Sequence, residues 1–228
     1  MDPAAITEMK AFLSQYFDDF QVIFYSRNPV DWVISFYQTE VRNGRTAPFS
    51  IDRDFRTRTD RELVSPWIET FGEDKVRVRF FARETLLNGD IVDDFFDLIG
   101  ADTSGFSRGY HENKTLDQKS LEVLRLLNEV YLNFQKEAAE PRKALIRRLE
   151  AVAGGEKAKL SRDAAEHLFE RRQQDLEWVS RLSGVSIDTI HKTSRICEGE
   201  GDMRSVKVSK DDALDLVMQI LPGLIPKQ

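Results

Sequence analysis

The sequence predicts a mixed α/β fold: a small parallel sheet surrounded by many helices. Three observations carry that expectation. The run Val22-Ile23-Phe24-Tyr25 is short, apolar and rich in β-branched and aromatic residues, as a buried strand requires. It passes through Asn28-Pro29 straight into Val30, Val33, Ile34, Tyr37 and Val41, which recur at helical spacing. A second strand-like stretch, 75–81, comes only after an intervening helix, which implies a parallel partner reached by a helical crossover.

Taken in order, residues 1–20 read as one amphipathic helix, started by Asp2-Pro3, with Ile6, Met9, Phe12, Leu13 and Tyr16 inward. After the strand, Asn28 offers an N-cap oxygen, Pro29 suits the first helical position and Asp31 suits the helix dipole. Residues 43–58 form a polar loop carrying Arg42, Arg45, Arg53, Arg56 and Arg58 at or near it, best read as a solvated basic stretch. A helix over 60–71 buries Leu63, Trp67, Ile68 and Phe71 and is closed by Gly72. In the second strand Val76 and Val78 alternate with Arg77 and Arg79, so one face is partly open. A helix over 90–99 turns Ile91, Phe95 and Leu98 inward. Residues 103–115 are a loop rich in Ser, Gly and Asn. From Leu116 onward the pattern is helical: 117–135, 141–152, 161–182 with Ser161 as cap, and a last helix from Ser209 to Leu221. The chain thus reads as one domain, 1–228, with an α/β part over 1–115 and a helical part over 116–228.

Composition narrows the function. Apolar residues make up 41%, enough for a real core. A net charge of -6 argues against general nucleic-acid binding. The single cysteine, Cys197, excludes an internal disulfide, and His111, His167 and His191 have no ligand-like spacing. No apolar run is long enough to span a bilayer, so the expected location is cytoplasmic.

Arg27 falls at the C-terminal end of the first strand, the edge where open α/β sheets bind ligands. A guanidinium at such a turn suits a phosphate, whose oxygens its planar fork can pair. Ser35 lies seven residues past Asn28, almost two helical turns, and so shares a helix side with Asn28 and Asp31.

The residues 25–37, YSRNPVDWVISFY, resemble the second nucleotide-binding motif of the sulfotransferase family: a strand, R-(N/D)-P, and a serine eight residues after the arginine. Weaker similarities follow at 67–86 (WIETFGEDKVRVRFFARETL), 89–100, 113–128 and 174–184. The resemblance implies a P-loop NTPase-like sulfotransferase fold and 3′-phosphoadenosine 5′-phosphosulfate (PAPS) as sulfuryl donor. It implies that Arg27 and Ser35 hold the 3′-phosphate, with Arg108 and Asn113 as further nucleotide contacts. The acceptor would be a hydroxyl or amine of a carbohydrate-type molecule. His111, in the same loop as Arg108, reads as solvent-facing rather than as a base.

The family's first motif, a P-loop-like turn of lysine, glycine and threonines round the 5′-phosphosulfate, has no counterpart. No G-x-x-x-x-G-K-[ST] pattern occurs, and Gly154-Gly155-Glu156-Lys157 follows no apolar strand, so it reads as a turn. The expectation is therefore an N-terminally incomplete sulfotransferase-type chain that keeps part of the 3′-phosphate site and lacks the transfer machinery. The alternatives are a non-catalytic nucleotide- or sugar-binding relative and, disfavoured by the absent Walker loop, a P-loop kinase-like protein.

Overall fold

The computed structural model describes residues 2–56, 58–103, 105, 115–131, 139–198, 202–209, 211, 215, 216 and 218. They form a mixed α/β structure with a small parallel sheet. The chain divides into two compact units, interleaved in sequence: Met1–Pro29, Arg56–Gly109 and His167–Thr193 make the first, and Val30–Phe55, Tyr110–Glu166 and Ser194–Gln228 the second.

The first unit is built on the strands β1 (Val22–Ser26) and β2 (Val76–Phe80), paired in parallel from Val22↔Val76 to Ser26↔Phe80. This is the expected pairing. One face carries Val76, Val78 and Phe80, all buried. Val76 and Val78 pack with Val64 of helix α4 (Asp60–Phe71), and Val22, Phe24, Leu63, Trp67 and Ile68 close round them. Phe80 joins Leu176 and Val179, from helix α8 (Arg162–Ser183), and Ile190, from α9 (Ile187–His191). Alternating burial along β2 is the period-two pleat at work.

Helix α4 starts with a capping box. The Thr59 hydroxyl accepts from Glu62 N–H, and the Glu62 carboxylate accepts from Thr59 N–H. It ends at Gly72, whose φ of 96° favours glycine and whose N–H donates to the Ile68 carbonyl.

Two expectations fail in this unit. The first helix, α1 (Pro3–Leu13), is shorter than predicted, and Phe12, Tyr16 and Phe17 are exposed while Ile6 is buried. The helix is capped at Ser14, so Tyr16 and Phe17 fall beyond it. The helix α5 (Ile91–Leu98) has the predicted span, but of the residues expected to face inward only Leu98 is half-buried. Ile91, Val92, Phe95 and Ile99 are exposed, and Asp94 is buried instead, at 2% exposure. The reason is electrostatic. Asp94 accepts from the Tyr25 hydroxyl at 2.7 Å, from the Arg79 guanidinium and from Leu87 N–H at 3.0 Å. The polar rim of the sheet claims the acid, and the apolar stripe turns outward.

The second unit is mostly helical. Helix α2 (Pro29–Arg42) buries Val30, Val33, Ile34, Tyr37 and Val41, as its spacing predicts. The stretch after it is more ordered than a solvated loop. It contains a short helix, α3 (Ile51–Asp54), and buries Phe49 and Phe55; Phe49 meets both Tyr37 and Phe55 edge to face. Arg45 pairs with Asp54 and Glu40, donates to the Ala47 and Pro48 carbonyls, and lies over the Tyr37 ring. Arg42 pairs with Glu150. Arg53 also approaches Asp54, at 3.8 Å, and donates to the Pro48 carbonyl; these arginines are structural ties, fixed by partners that spacing alone did not reveal.

Helices α6 (Gln118–Tyr131) and α7 (Ala139–Val152) follow. The Asn128 carboxamide donates to the carbonyls of Val41 and Arg45, both at 2.8 Å. Gly154-Gly155 is the predicted turn, and both its N–H groups donate to Asp117. A second parallel pair, β3 (Leu160–Ser161) with β4 (Ile196–Cys197), was not foreseen, since two-residue strands leave no pattern. Ser161 caps α8 as expected, accepting from Ala164 N–H. Most of the predicted final helix lies outside the described residues.

Candidate functional site

The C-terminal end of β1 brings together the polar groups of the first unit. Three consecutive residues, Ser26, Arg27 and Asn28, each engage a different environment there. Ser26 is 1% exposed, and its hydroxyl donates to the Asp60 carboxylate at the start of α4. Asp175, on α8, accepts from the N–H groups of Asp60 and Arg61, at 3.1 and 2.8 Å. One carboxylate of α8 thus satisfies two of the free donors at the N-terminus of α4.

Asn28 is buried, and its amide nitrogen donates to the carbonyls of Ile190 at 2.7 Å and Lys192 at 3.3 Å. The strand-end turn is therefore fastened to the end of α9. This bonding could not be read from the sequence, which offered only the N-cap role for Asn28.

Arg27 is partly buried. Its guanidinium lies over the ring of Phe81, 5.5 Å from the centroid, just past the end of β2. The Nε atom is buried and has no hydrogen-bond partner. A buried, charged N–H left without an acceptor is costly and uncommon, and it marks a place where an anion would be stabilised.

The remaining predicted residues stand as follows. Ser35 is a partly buried residue of α2, in the second unit, and its carbonyl accepts from the Thr39 hydroxyl at 3.0 Å. Arg108, Asn113 and His111 lie outside the described residues. Asp60 and Asp175 lie in segments that the sequence reading describes, 60–71 and 174–184, but neither is singled out there as a site residue. The faint signal for Asp60 was its place one residue after Thr59, at a helix start.

The titration behaviour follows from these contacts. Burial pushes the Asp60 carboxyl up to about 6, and the charge of Asp175 acts the same way; the Ser26 hydroxyl and Arg172 oppose them. Burial and the neighbouring Asp94 carboxylate push the Tyr25 phenol up to about 12. For Asp94, burial alone would raise the carboxyl, but Arg79, Tyr25 and Leu87 N–H outweigh it and hold it below the usual range. For His191, burial lowers the imidazole below its ordinary value; its ring stacks on Phe169 at 4.3 Å.

Among the described residues, no group of three or more His, Cys, Asp or Glu side chains is arranged to hold a metal ion. Among the same residues, no helix is long and apolar enough to cross a membrane. No family model, no curated protein and no solved structure matches the chain.

Proposed function

We propose that the chain is a sulfotransferase-type nucleotide binder, in which Arg27 and Ser35 hold the 3′-phosphate of PAPS or of adenosine 3′,5′-bisphosphate. The observation that carries this reading is the buried, unpartnered Nε of Arg27 at the C-terminal end of a parallel strand. The resemblance of residues 25–37 to the family motif gives the anion its identity. A phosphate monoester dianion suits the site, because it offers several oxygens to one planar guanidinium.

In the full reaction of such an enzyme, the acceptor hydroxyl or amine attacks sulfur, the bridging P–O–S bond breaks, and adenosine 3′,5′-bisphosphate leaves. Arg27 and Ser35 would anchor the nucleotide remote from that sulfur. These 228 residues contain no lysine–glycine–threonine loop to stabilise charge on the bridging oxygen. That observation favours a second reading for the chain as it stands, a nucleotide- or sugar-binding relative that does not itself transfer the sulfuryl group.

Calorimetric titration with adenosine 3′,5′-bisphosphate tests both readings together. Saturable binding is expected, and Arg27→Ala should weaken it by about 10- to 100-fold, the loss typical of a charge-assisted hydrogen-bonding partner. Adenosine 5′-monophosphate, which lacks the 3′-phosphate, should bind no better to the parent than to Arg27→Ala. Affinity unchanged by the substitution would remove Arg27 from the site.

A further inference from the structure

Helix α5 presents a row of apolar side chains to solvent. Leu87, in the turn before the helix, Ile91, Phe95 and Ile99 follow one another at four-residue steps, and Val92 lies beside them. All five are 38% to 48% exposed. Their spacing lines them up along one side of the helix. The opposite side holds the row outward. Asp94, the one buried residue of α5, takes the Tyr25 hydroxyl, the Arg79 guanidinium and the Leu87 N–H. Turning the row inward would strip three donors of their acceptor.

We propose that this row docks an amphipathic helix of a partner protein, one with apolar residues at three- and four-residue spacing and lysines or arginines beside them. Five side chains exposed to this degree leave an apolar patch on the order of a few hundred Å², a size that is often functional. A row at four-residue steps is a ridge that seats between the side chains of a second helix.

Charge selects among the occupants. From Glu84 to Asp102 the chain carries Glu84, Asp90, Asp93, Asp94, Asp97 and Asp102 and no lysine or arginine. Asp94 is taken up by the sheet; Asp93 and Asp97 stand one helical turn apart on a flank of the row. A basic helix meets opposite charge there. A second copy of this chain would bring acid against acid, and an anionic membrane surface would be repelled in the same way. The inference does not depend on what Arg27 binds.

Fluorescence anisotropy of a labelled peptide titrated with the full chain tests it. The probe is a designed peptide of about 18 residues, long enough to be helical, with leucines on one face and lysines on the other. Saturable binding is expected. A matched peptide with glutamates in place of the lysines should bind at least about tenfold more weakly. Ile91→Ser combined with Phe95→Ser should weaken the lysine peptide by about tenfold or more, with the circular dichroism of the parent retained, since both side chains are exposed. Asp93→Asn combined with Asp97→Asn, which leaves the apolar row in place, should weaken it too. Phe12→Ser combined with Phe17→Ser, two exposed aromatics outside α5, should leave the affinity unchanged. No saturable binding, an affinity untouched by either α5 pair, or one reduced equally by the Phe12 and Phe17 pair would overturn the proposal. So would a dimer in sedimentation that Phe95→Ser dissociates, which would give the row to a second copy. Binding to phosphatidylserine vesicles that Phe95→Ser abolishes would give it to a membrane and equally sink the partner helix.

Discussion

At the scale of single residues, Asp94 shows how one charge overrides an apolar pattern. The segment Ile91-Val92-Asp93-Asp94-Phe95-Phe96 offers several residues that hydrophobicity alone would bury. The structure buries the acid, because the Tyr25 hydroxyl and the half-buried Arg79 guanidinium on the sheet both donate to it. Asp94→Ala should therefore destabilise the protein by about 1–3 kcal/mol, measured by chemical denaturation. The folded carboxyl of Asp94 is held low, so its contribution is present above the ordinary aspartate range and lost as pH falls through the folded value. Asp94→Ala should flatten the acid limb of the stability profile. Nothing in the sequence distinguished Asp94 from Asp93 or Asp97, since the choice is made by partners 15 and 69 positions away.

At the scale of elements, local chemistry was legible and orientation was not. The strand-turn-helix at 22–42, the parallel partner strand, α4 and its glycine stop all follow from spacing and caps within a few residues. Thr59→Ala removes one half of the capping box and should cost about 1 kcal/mol. A Gly72→Ala change should cost at least as much: a Cβ there would lie 2.7 Å from the Asp74 carboxylate, at a φ of 96°. The outward stripe of α5 gives the contrasting case. Phe95 is 40% exposed, so Phe95→Ser should change stability by no more than about 0.5 kcal/mol in the same denaturation assay. A loss of 3 kcal/mol or more would restore the buried orientation that the sequence suggested. The short pair β3 and β4 was illegible for a different reason: two residues are too few to show a period.

At the scale of the whole molecule, the sheet's own core is completed by helices of the second half of the chain, which the sequence reads as packing round the sheet. Phe80 is packed by Leu176, Val179 and Ile190, about a hundred positions later, and such pairings carry no sequence signature. Leu176→Ala should cost about 2–5 kcal/mol by opening a cavity in this cluster. The candidate site was legible to the extent of Arg27. Its burial against Phe81, its lone Nε and the Asp60–Asp175 junction beside it all depend on residues brought in by tertiary folding.

The two hydrogen bonds of Asn28 set an order of events during synthesis. Its amide reaches a carbonyl 162 positions downstream. While the ribosome is still making the middle of the chain, the turn that bears Arg27 has nothing to fasten to, and the sheet beneath it lacks three of its core side chains. A nascent chain can complete this unit only once residues up to 193 have left the exit tunnel.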